Sequence, residues 1–293
     1  MARYRPPFIF TDEQFIDAVN KGMTASEIAH LFGVNRSSVY KRIRRRRVSL
    51  IKNSPNYNET VFDIIDTEEK AYWLGFLYAD GCVTNKTKRH CVELSLKADD
   101  VEHLWKFNDF LGFNRSLNKV KIGNAKCGSV VCKRCRITVC GKHICDSLEK
   151  LGCVPQKSLI LKFPDNSIFK YPELIYDFIR GYIDGDGSIR VTGKLYYTIY
   201  LRVLGTKEFL EGLLDVLSSP KDSYHILHER YKNNTYDLVF KTVESRRICD
   251  LIYAHSTISL DRKYERYKFA VAHSNMNDNN RTKTVKTEMS TPC

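Results

Sequence analysis

Trp73-Leu74-Gly75-Phe76-Leu77-Tyr78-Ala79-Asp80-Gly81 returns 106 residues later as Ile179-Arg180-Gly181-Tyr182-Ile183-Asp184-Gly185-Asp186-Gly187. Each stretch is an apolar helical run with a glycine inside it and Asp-Gly at its end. An interior glycine costs a helix about 1 kcal/mol relative to alanine. Its return at the same place, among large neighbours, points to two helices packed closely against each other through Gly75 and Gly181, about a pseudo-twofold axis. The terminal glycines, Gly81 and Gly187, are expected C-caps. The aspartates are the anomaly, because a carboxylate at a helix C-terminus meets the negative end of the macrodipole at a cost of roughly 0.3–1 kcal/mol. Helices paired in this way bring Asp80 and Asp186 together at their foot, where two carboxylates repel unless a cation lies between them. Hard divalent cations such as Mg²⁺ suit carboxylate, carbonyl and water ligands.

The repeat runs beyond these helices. Thr138-Val139 and Ile144-Cys145-Asp146 match Thr242-Val243 and Ile248-Cys249-Asp250 at an offset of 104, and Lys157 matches Lys263 at 106 again. A near-constant offset over so long a stretch predicts two copies of one fold, repeat 1 over 61–165 and repeat 2 over 166–274. Each copy reads as αββαββα. The apolar helix is followed by a hairpin (83–86 with 92–97; 188–192 with 196–204), a helix (101–111; 207–217), a second hairpin (117–139; 224–243) and a closing helix (142–151; 245–254). The fold class is therefore α/β in the α+β sense, with two antiparallel sheets carrying their helices on one face. Alternation assigns Tyr197, Ile199, Leu201 and Val203 to the core and Tyr196, Thr198, Tyr200 and Arg202 to the open face. In the first copy Ile137 and Val139 alternate with Arg134, Arg136 and Thr138. With Arg190 and Thr192, the open faces are rich in Arg, Thr and Tyr, as a DNA-facing sheet should be.

Charge supports a polyanion partner. Lys and Arg number 47 against 34 Asp and Glu, a net of +13, and a basic excess of this size in a folded chain points to nucleic acid. Hydrophobic residues at 43% and charged residues at 28% exclude wholesale disorder. No apolar run approaches the roughly eighteen residues that span a bilayer, and the N-terminus has no signal-peptide core, so neither a membrane nor a secreted protein is expected.

Much of the excess charge lies in residues 1–50, which read as a three-helix helix-turn-helix domain. Thr11-Asp12-Glu13-Gln14 and Thr24-Ala25-Ser26-Glu27 are capping-box starts. Ala29, Gly33 and Val39 have the small–Gly–apolar spacing that seats one helix on the next. Arg36, Ser37, Ser38 and Tyr40 are then expected to reach bases or phosphates. Lys41, Arg42, Arg44, Arg45, Arg46 and Arg47 are expected to hold the DNA backbone. Residues 51–60 read as a linker and 275–293 as a disordered tail.

Ten cysteines without a signal peptide read as reduced thiols. Cys127, Cys132, Cys135 and Cys140 have a spacing that invites a structural zinc. Cys132 and Cys135 sit three apart in an expected strand, however, and so point to opposite faces; zinc is not expected.

The paired helices resemble the signature helices of the LAGLIDADG homing endonucleases. The first copy keeps the third-position glycine and the final Asp-Gly, and the second keeps the sixth-position aspartate, Asp184, as well. The resemblance covers roughly residues 61–272. It implies a single-chain, monomeric, pseudo-symmetric enzyme whose saddle-shaped sheet lies along a long, asymmetric site in double-stranded DNA. It implies that Asp80 and Asp186, with Gly81 and Gly187, bind catalytic Mg²⁺ or Mn²⁺. It also implies that Lys157 and Lys263 lie near the scissile phosphates, and that the product is a staggered double-strand cut. Such an enzyme belongs to intron homing or another mobile element, phage- or prokaryote-encoded in a cytoplasm, or organellar. Tyr78 departs from the pattern at the sixth position, and Arg180 on an otherwise apolar helix is expected to face the linker or DNA. The rival readings are a transcription regulator built on the same fold and an RNA-binding intron maturase.

Overall fold

The computed structural model describes residues 10–46 except 22 and 24, 57–113 except 88, 120–193 except 128 and 129, 197–227 and 234–273. Among the positions outside it are Thr24, Arg47, Tyr196, most of the expected linker and the whole expected tail at 275–293. The chain divides into two compact units, Met1–Tyr57 and Asn58–Cys293.

The first unit holds three helices, α1 (Asp12–Asn20), α2 (Ala25–Leu31) and α3 (Arg36–Arg46). Thr11 and Gln14 close the expected capping box. Phe15, Val19, Ile28, Ala29 and Val39 form the core with Phe10. Gly33, with φ of +62°, makes the left-handed turn between α2 and α3 that favours glycine. Ile16 and Leu31, which fit the apolar periodicity, face outward instead.

The second unit carries the two copies in the expected order. The first copy is α4 (Glu68–Asp80), β1 (Gly81–Lys86), β2 (Arg89–Lys97), α5 (Val101–Phe110), β3 (Lys121–Cys127), β4 (Val130–Cys140) and α6 (Lys142–Lys150). The second is α7 (Leu174–Asp186), β5 (Gly187–Thr192), β6 (Thr198–Gly205), α8 (Lys207–Leu217), β7 (Tyr224–Leu227), β8 (Tyr236–Phe240) and α9 (Thr242–Tyr253). A further helix, α10, spans 261–273 and has no counterpart in the αββαββα order expected of each copy. Each copy forms a four-stranded antiparallel sheet, ordered β1-β2-β4-β3 and β5-β6-β8-β7.

Register fixes which positions of the two copies are equivalent. Leu94 lies opposite Gly81 and Ile137, as Val203 lies opposite Gly187 and Leu238. This corrects one part of the sequence alignment. Thr138-Val139 lies in β4, whereas Thr242-Val243 opens α9. Cys135 is accordingly matched by Tyr236 rather than by Val239. The slip arises because α9 has 12 residues where α6 has 9, and the extra ones precede the matching cysteine, so one offset cannot serve both the strand and the closing helix.

Alternation along the strands holds. Ile199, Leu201 and Val203 are buried, as are Leu94, Leu96, Ile137 and Val139. Tyr197 is half-buried and packs its ring edge-on against Phe269 of α10, with centroids 4.9 Å apart. Cys135 is buried on the core side, while Cys140, of opposite parity, is exposed. The side chain of Cys127 lies outside the described residues.

Candidate active site

The site stands where α4 and α7 end together. From Ala71 to Tyr78 every residue of α4 is buried, so the helix needs an apolar neighbour on all sides. A Cβ built on Gly75 would run into the Phe178 carbonyl oxygen, and one on Gly181 into that of Tyr72. The two glycines thus let the helix backbones touch, as expected. One residue before each acid, Gly185 lies so close to Ala79 that a Cβ there would collide with the alanine methyl. Asp80 and Asp186 are therefore neighbours at the foot of the pair, both half-buried.

Gly81 and Gly187 end the helices for a reason other than the usual left-handed cap. Their φ values are −74° and −92°, and the chain runs straight from helix into strand. What excludes a side chain is space, since a Cβ at either would meet the carbonyl oxygen of Leu77 or Ile183.

The negative ends of both helices are neutralised by buried lysines. Lys157 Nζ donates to the carbonyls of Ala79 (3.0 Å) and Gly81 (2.6 Å) at the end of α4. Lys263, in the first turn of α10, donates to Ile183 and Asp184 (both 2.7 Å) and also reaches Gly185 (3.4 Å) and Gly187 at the end of α7. A cation here offsets the macrodipole that made the aspartates anomalous. The Gly81 and Gly187 carbonyls, expected among the metal ligands, each accept from one of these ammonium groups. An ammonium has three protons, so Lys263 is saturated by backbone. Burial pushes it down to about 8, against the pull of Asp184, Asp80 and Asp186. Lys157 retains one proton, and it lines a cavity of about 210 Å³ with Asp186, Tyr182, Thr206 and Thr235.

The carboxylates are poised for a cation. Burial raises Asp80 above the usual carboxylate range, opposed first by Lys263 and then by Lys157. Burial and the charge of Asp80 push Asp186 up to about 6, opposed first by Lys157 and then by Lys263. The order is crossed: each acid is served chiefly by the lysine that caps the other helix. Two half-buried acids, both raised by burial, offer hard oxygen atoms that fit Mg²⁺ or Mn²⁺ rather than a softer ion.

The sixth-position departure has a structural counterpart. Asp184 is fully buried and accepts from Tyr72 Oη (2.8 Å), Tyr253 Oη (2.5 Å) and the Leu260 backbone N–H (2.7 Å). Tyr78, at the matching place, donates instead to the Leu151 carbonyl. Both side chains fasten their helix to the segment that leads to a lysine, 151–157 in one copy and 257–263 in the other.

Arg180 faces neither linker nor DNA. It is buried and donates to Ile258 and Ile252 carbonyls, to Asp177 (2.7 Å) and to Glu68 (2.7 Å). Asp177 lies one turn earlier in α7, but the other partners come from the start of α4 and from 252–258, and nothing in the apolar run announces them.

The expected DNA-facing residues of the sheets do share one face. Register places Ser188 beside Arg202, Arg190 beside Tyr200 and Thr192 beside Thr198, and all of these but Thr198 line a groove of about 510 Å³. In the first copy Arg134, Arg136, Lys121 and Asn124 line one of about 320 Å³. Within the first unit, Arg36, Ser37, Tyr40, Lys41, Arg44, Arg45 and Arg46 are exposed, and Ser38 is half-buried. Ser37 and Ser38 share the Asn35 side chain as the N-terminal cap of α3. Arg42 corrects the expectation: it is buried between the Phe10 and Phe15 rings and ion-paired with Asp12.

No protein-family model and no curated protein matches the chain. Among solved structures, the homing endonuclease I-WcaI bound to its DNA recognition sequence is similar at 12% identity and a TM-score of 0.50, covering 75% of this chain and 96% of that one. The LAGLIDADG homing endonuclease I-GzeII in complex with a DNA target matches at 16% identity, TM-score 0.47, over 72% of this chain and 91% of that one. Meganuclease I-SmaMI bound to uncleavable DNA matches at 12%, TM-score 0.46, over 76% and 99%. At these identities the likeness is one of fold: the chain has the homing-endonuclease fold.

Proposed function

We propose that this chain is a site-specific, metal-dependent DNA endonuclease that cuts both strands of a long asymmetric target, as a homing enzyme of an intron or other mobile element. The observation that carries the reading is the pair of aspartates brought together at the foot of α4 and α7 by the close approach of Gly185 to Ala79, under the charge of both buried lysines. Asp80 and Asp186 would hold Mg²⁺ or Mn²⁺ through their carboxylates. Bound there, such ions supply a water of lowered pKa and neutralise the oxygens on either side of the phosphorus. Lys263, with every proton committed to carbonyls, acts as a fixed charge rather than an acid. It favours the ionised form of Asp80 and adds positive potential where a phosphate gains charge. Lys157 does the same at Asp186 and has a proton left to direct into the cavity it lines.

The open sheet faces would lie in the grooves on either side. Arginines there read guanine O6 and N7, while threonine and tyrosine hydroxyls adapt to several bases or phosphates. The exposed arginines of α3 extend the footprint, chiefly through phosphate contacts.

The test is cleavage of a plasmid carrying the gene's own insertion site, rejoined without the insert. It is run with Mg²⁺, with EDTA, and with Asp80→Asn plus Asp186→Asn. A metal-dependent staggered cut that the double variant loses is the expected result. Tight binding with no cut, in wild type and variant alike, would overturn the enzyme and favour a DNA-binding regulator.

A further inference from the structure

The two cutting positions are not equally furnished with positive charge. Beyond the point where β1 begins, β2 continues past the foot of α4, and β4 runs beside it with Arg134 opposite Lys97. Arg134 is pinned there by Ser95, whose hydroxyl (3.2 Å) and carbonyl (2.7 Å) accept from it. Next to Lys263, Arg262 is held at Nε by Asp100 (2.9 and 3.1 Å), with 42% of its side chain still exposed. Lys263, Lys157, Arg134 and Arg262, in that order, favour the ionised form of Asp80, and Lys157 and Lys263 favour that of Asp186.

The pseudo-twofold identifies what stands at the other site. Ile137 is equivalent to Leu238, so Arg134 is equivalent to Thr235, which lines the cavity at Asp186. Lys157 is equivalent to Lys263, so Arg262 is equivalent to Gln156, an exposed residue in the left-handed region with φ of 56°. At both places where the Asp80–Lys263 site has a guanidinium, the Asp186–Lys157 site has a neutral side chain.

We infer that Arg134 and Arg262 make the two strand cuts unequal, so that the strand held at the Asp80–Lys263 site is cut first and a nicked duplex accumulates. The inference rests on the endonuclease reading. Its physical basis is that hydrolysis places additional negative charge on the phosphate oxygens in the transition state, and two pre-positioned guanidinium groups stabilise that charge at one site only. They also attract the ground-state phosphate, so the asymmetry should appear in metal-free binding as well as in rate.

The experiment has two arms on one target duplex. In the first, each strand is end-labelled separately and its cleavage rate is measured at saturating Mg²⁺. Wild type should cut one strand about tenfold faster than the other. Arg134→Thr with Arg262→Gln should bring the ratio close to one by slowing only the faster cut, and Arg134→Lys with Arg262→Lys should restore much of it. The slower cut in the same molecules controls for folding. In the second arm, a neutral methylphosphonate replaces one scissile phosphate at a time, and affinity is measured in EDTA. Neutralising the phosphate of the faster strand should weaken binding about threefold more than neutralising the other, and the Thr/Gln variant should lose that difference.

Equal rates with equal binding costs in wild type, or a variant that slows both strands alike, would overturn the inference while leaving the endonuclease standing. Unequal binding costs that the variant abolishes, in a protein that never cuts, would support the charge asymmetry and sink the enzyme reading instead.

Discussion

The feet of α4 and α7 perform the same task with different materials. At α7 the ammonium of Lys263 is saturated by carbonyls, and the buried carboxylate of Asp184 gathers three donors. At α4 Lys157 holds two carbonyls, and the matching side chain, Tyr78, makes a single hydrogen bond. The second copy is therefore built around a buried polar network and the first around aromatic packing. His103 and Phe107 pack tilted against Trp73 there, with ring centroids 4.8 and 4.9 Å from it. What both copies keep is the backbone geometry that brings two acids together. Symmetry here is a property of where the chain goes, and less of which side chains take it there.

That comparison can be broken most severely where the copies touch. Gly75→Ala or Gly181→Ala places a methyl group against a backbone carbonyl that has no room to move. Either should destabilise the second unit by about 3 kcal/mol or more, and to a similar extent, as measured by urea unfolding. A strong inequality would mean that one copy yields more readily than the other.

The copies should then differ at the sixth position. Asp184→Asn puts an N–H group among three donors and should cost about 3 kcal/mol, because buried partners are left unsatisfied. Tyr78→Phe removes one hydrogen bond and should cost about 1 kcal/mol. Equal costs would show that the network in the second copy carries no more than the packing in the first.

Titration sharpens the difference between the acids. Asp186 titrates near 6 when folded, above the usual carboxylate value of about 3.9. The folded state thus binds this proton more tightly, and stability contributed by the protonated acid is lost as pH rises from about 4 to 6. In EDTA, Asp186→Asn should match wild type below pH 4 and be more stable by about 2 kcal/mol at pH 7. Mg²⁺ should close the gap by stabilising wild type alone. Asp80→Asn should lower the Asp186 titration, since Asp80 is one of its two causes. Thermal unfolding across the pH range reads all three.

The smallest effect is expected just ahead of the lysines. Gln156 holds φ of 56°, a conformation that costs a residue with a Cβ roughly 1 kcal/mol. Gln156→Gly should stabilise by about 0.5–1 kcal/mol, whereas Arg262→Gly, in the first turn of α10, should destabilise by a similar amount.

Much of this was legible in the sequence because it depends on local pattern. Glycine inside an apolar run, Asp-Gly at its end and alternation along strands are short-range signals, and α4, α7, β2 and β6 follow them. The acids' meeting was legible because two glycines at matching places leave the helices one close way to pack. What escaped depends on partners distant in the chain. Arg42 reads as one more cation in a basic run until Asp12, thirty residues earlier, is seen to hold it. Arg180 is explained by Glu68 and by carbonyls beyond residue 250. The lysines were found as a matched pair, but nothing in their spacing said that their protons would go to helix-end carbonyls. The helix over 261–273 was overlooked because the repeat has no counterpart for it after Lys157, where only a short turn follows.

The lysine clasp has a bearing on how such a chain can change over generations. An ammonium that holds carbonyl oxygens recognises backbone, and every amino acid offers the same backbone. The clasp itself therefore sets no demand on side-chain identity; what restricts the residues there is the space at Gly81, Gly185 and Gly187 and the three donors on Asp184. The two copies in one polypeptide are then free to drift apart in the side chains of their sheets while the centre they share stays in place.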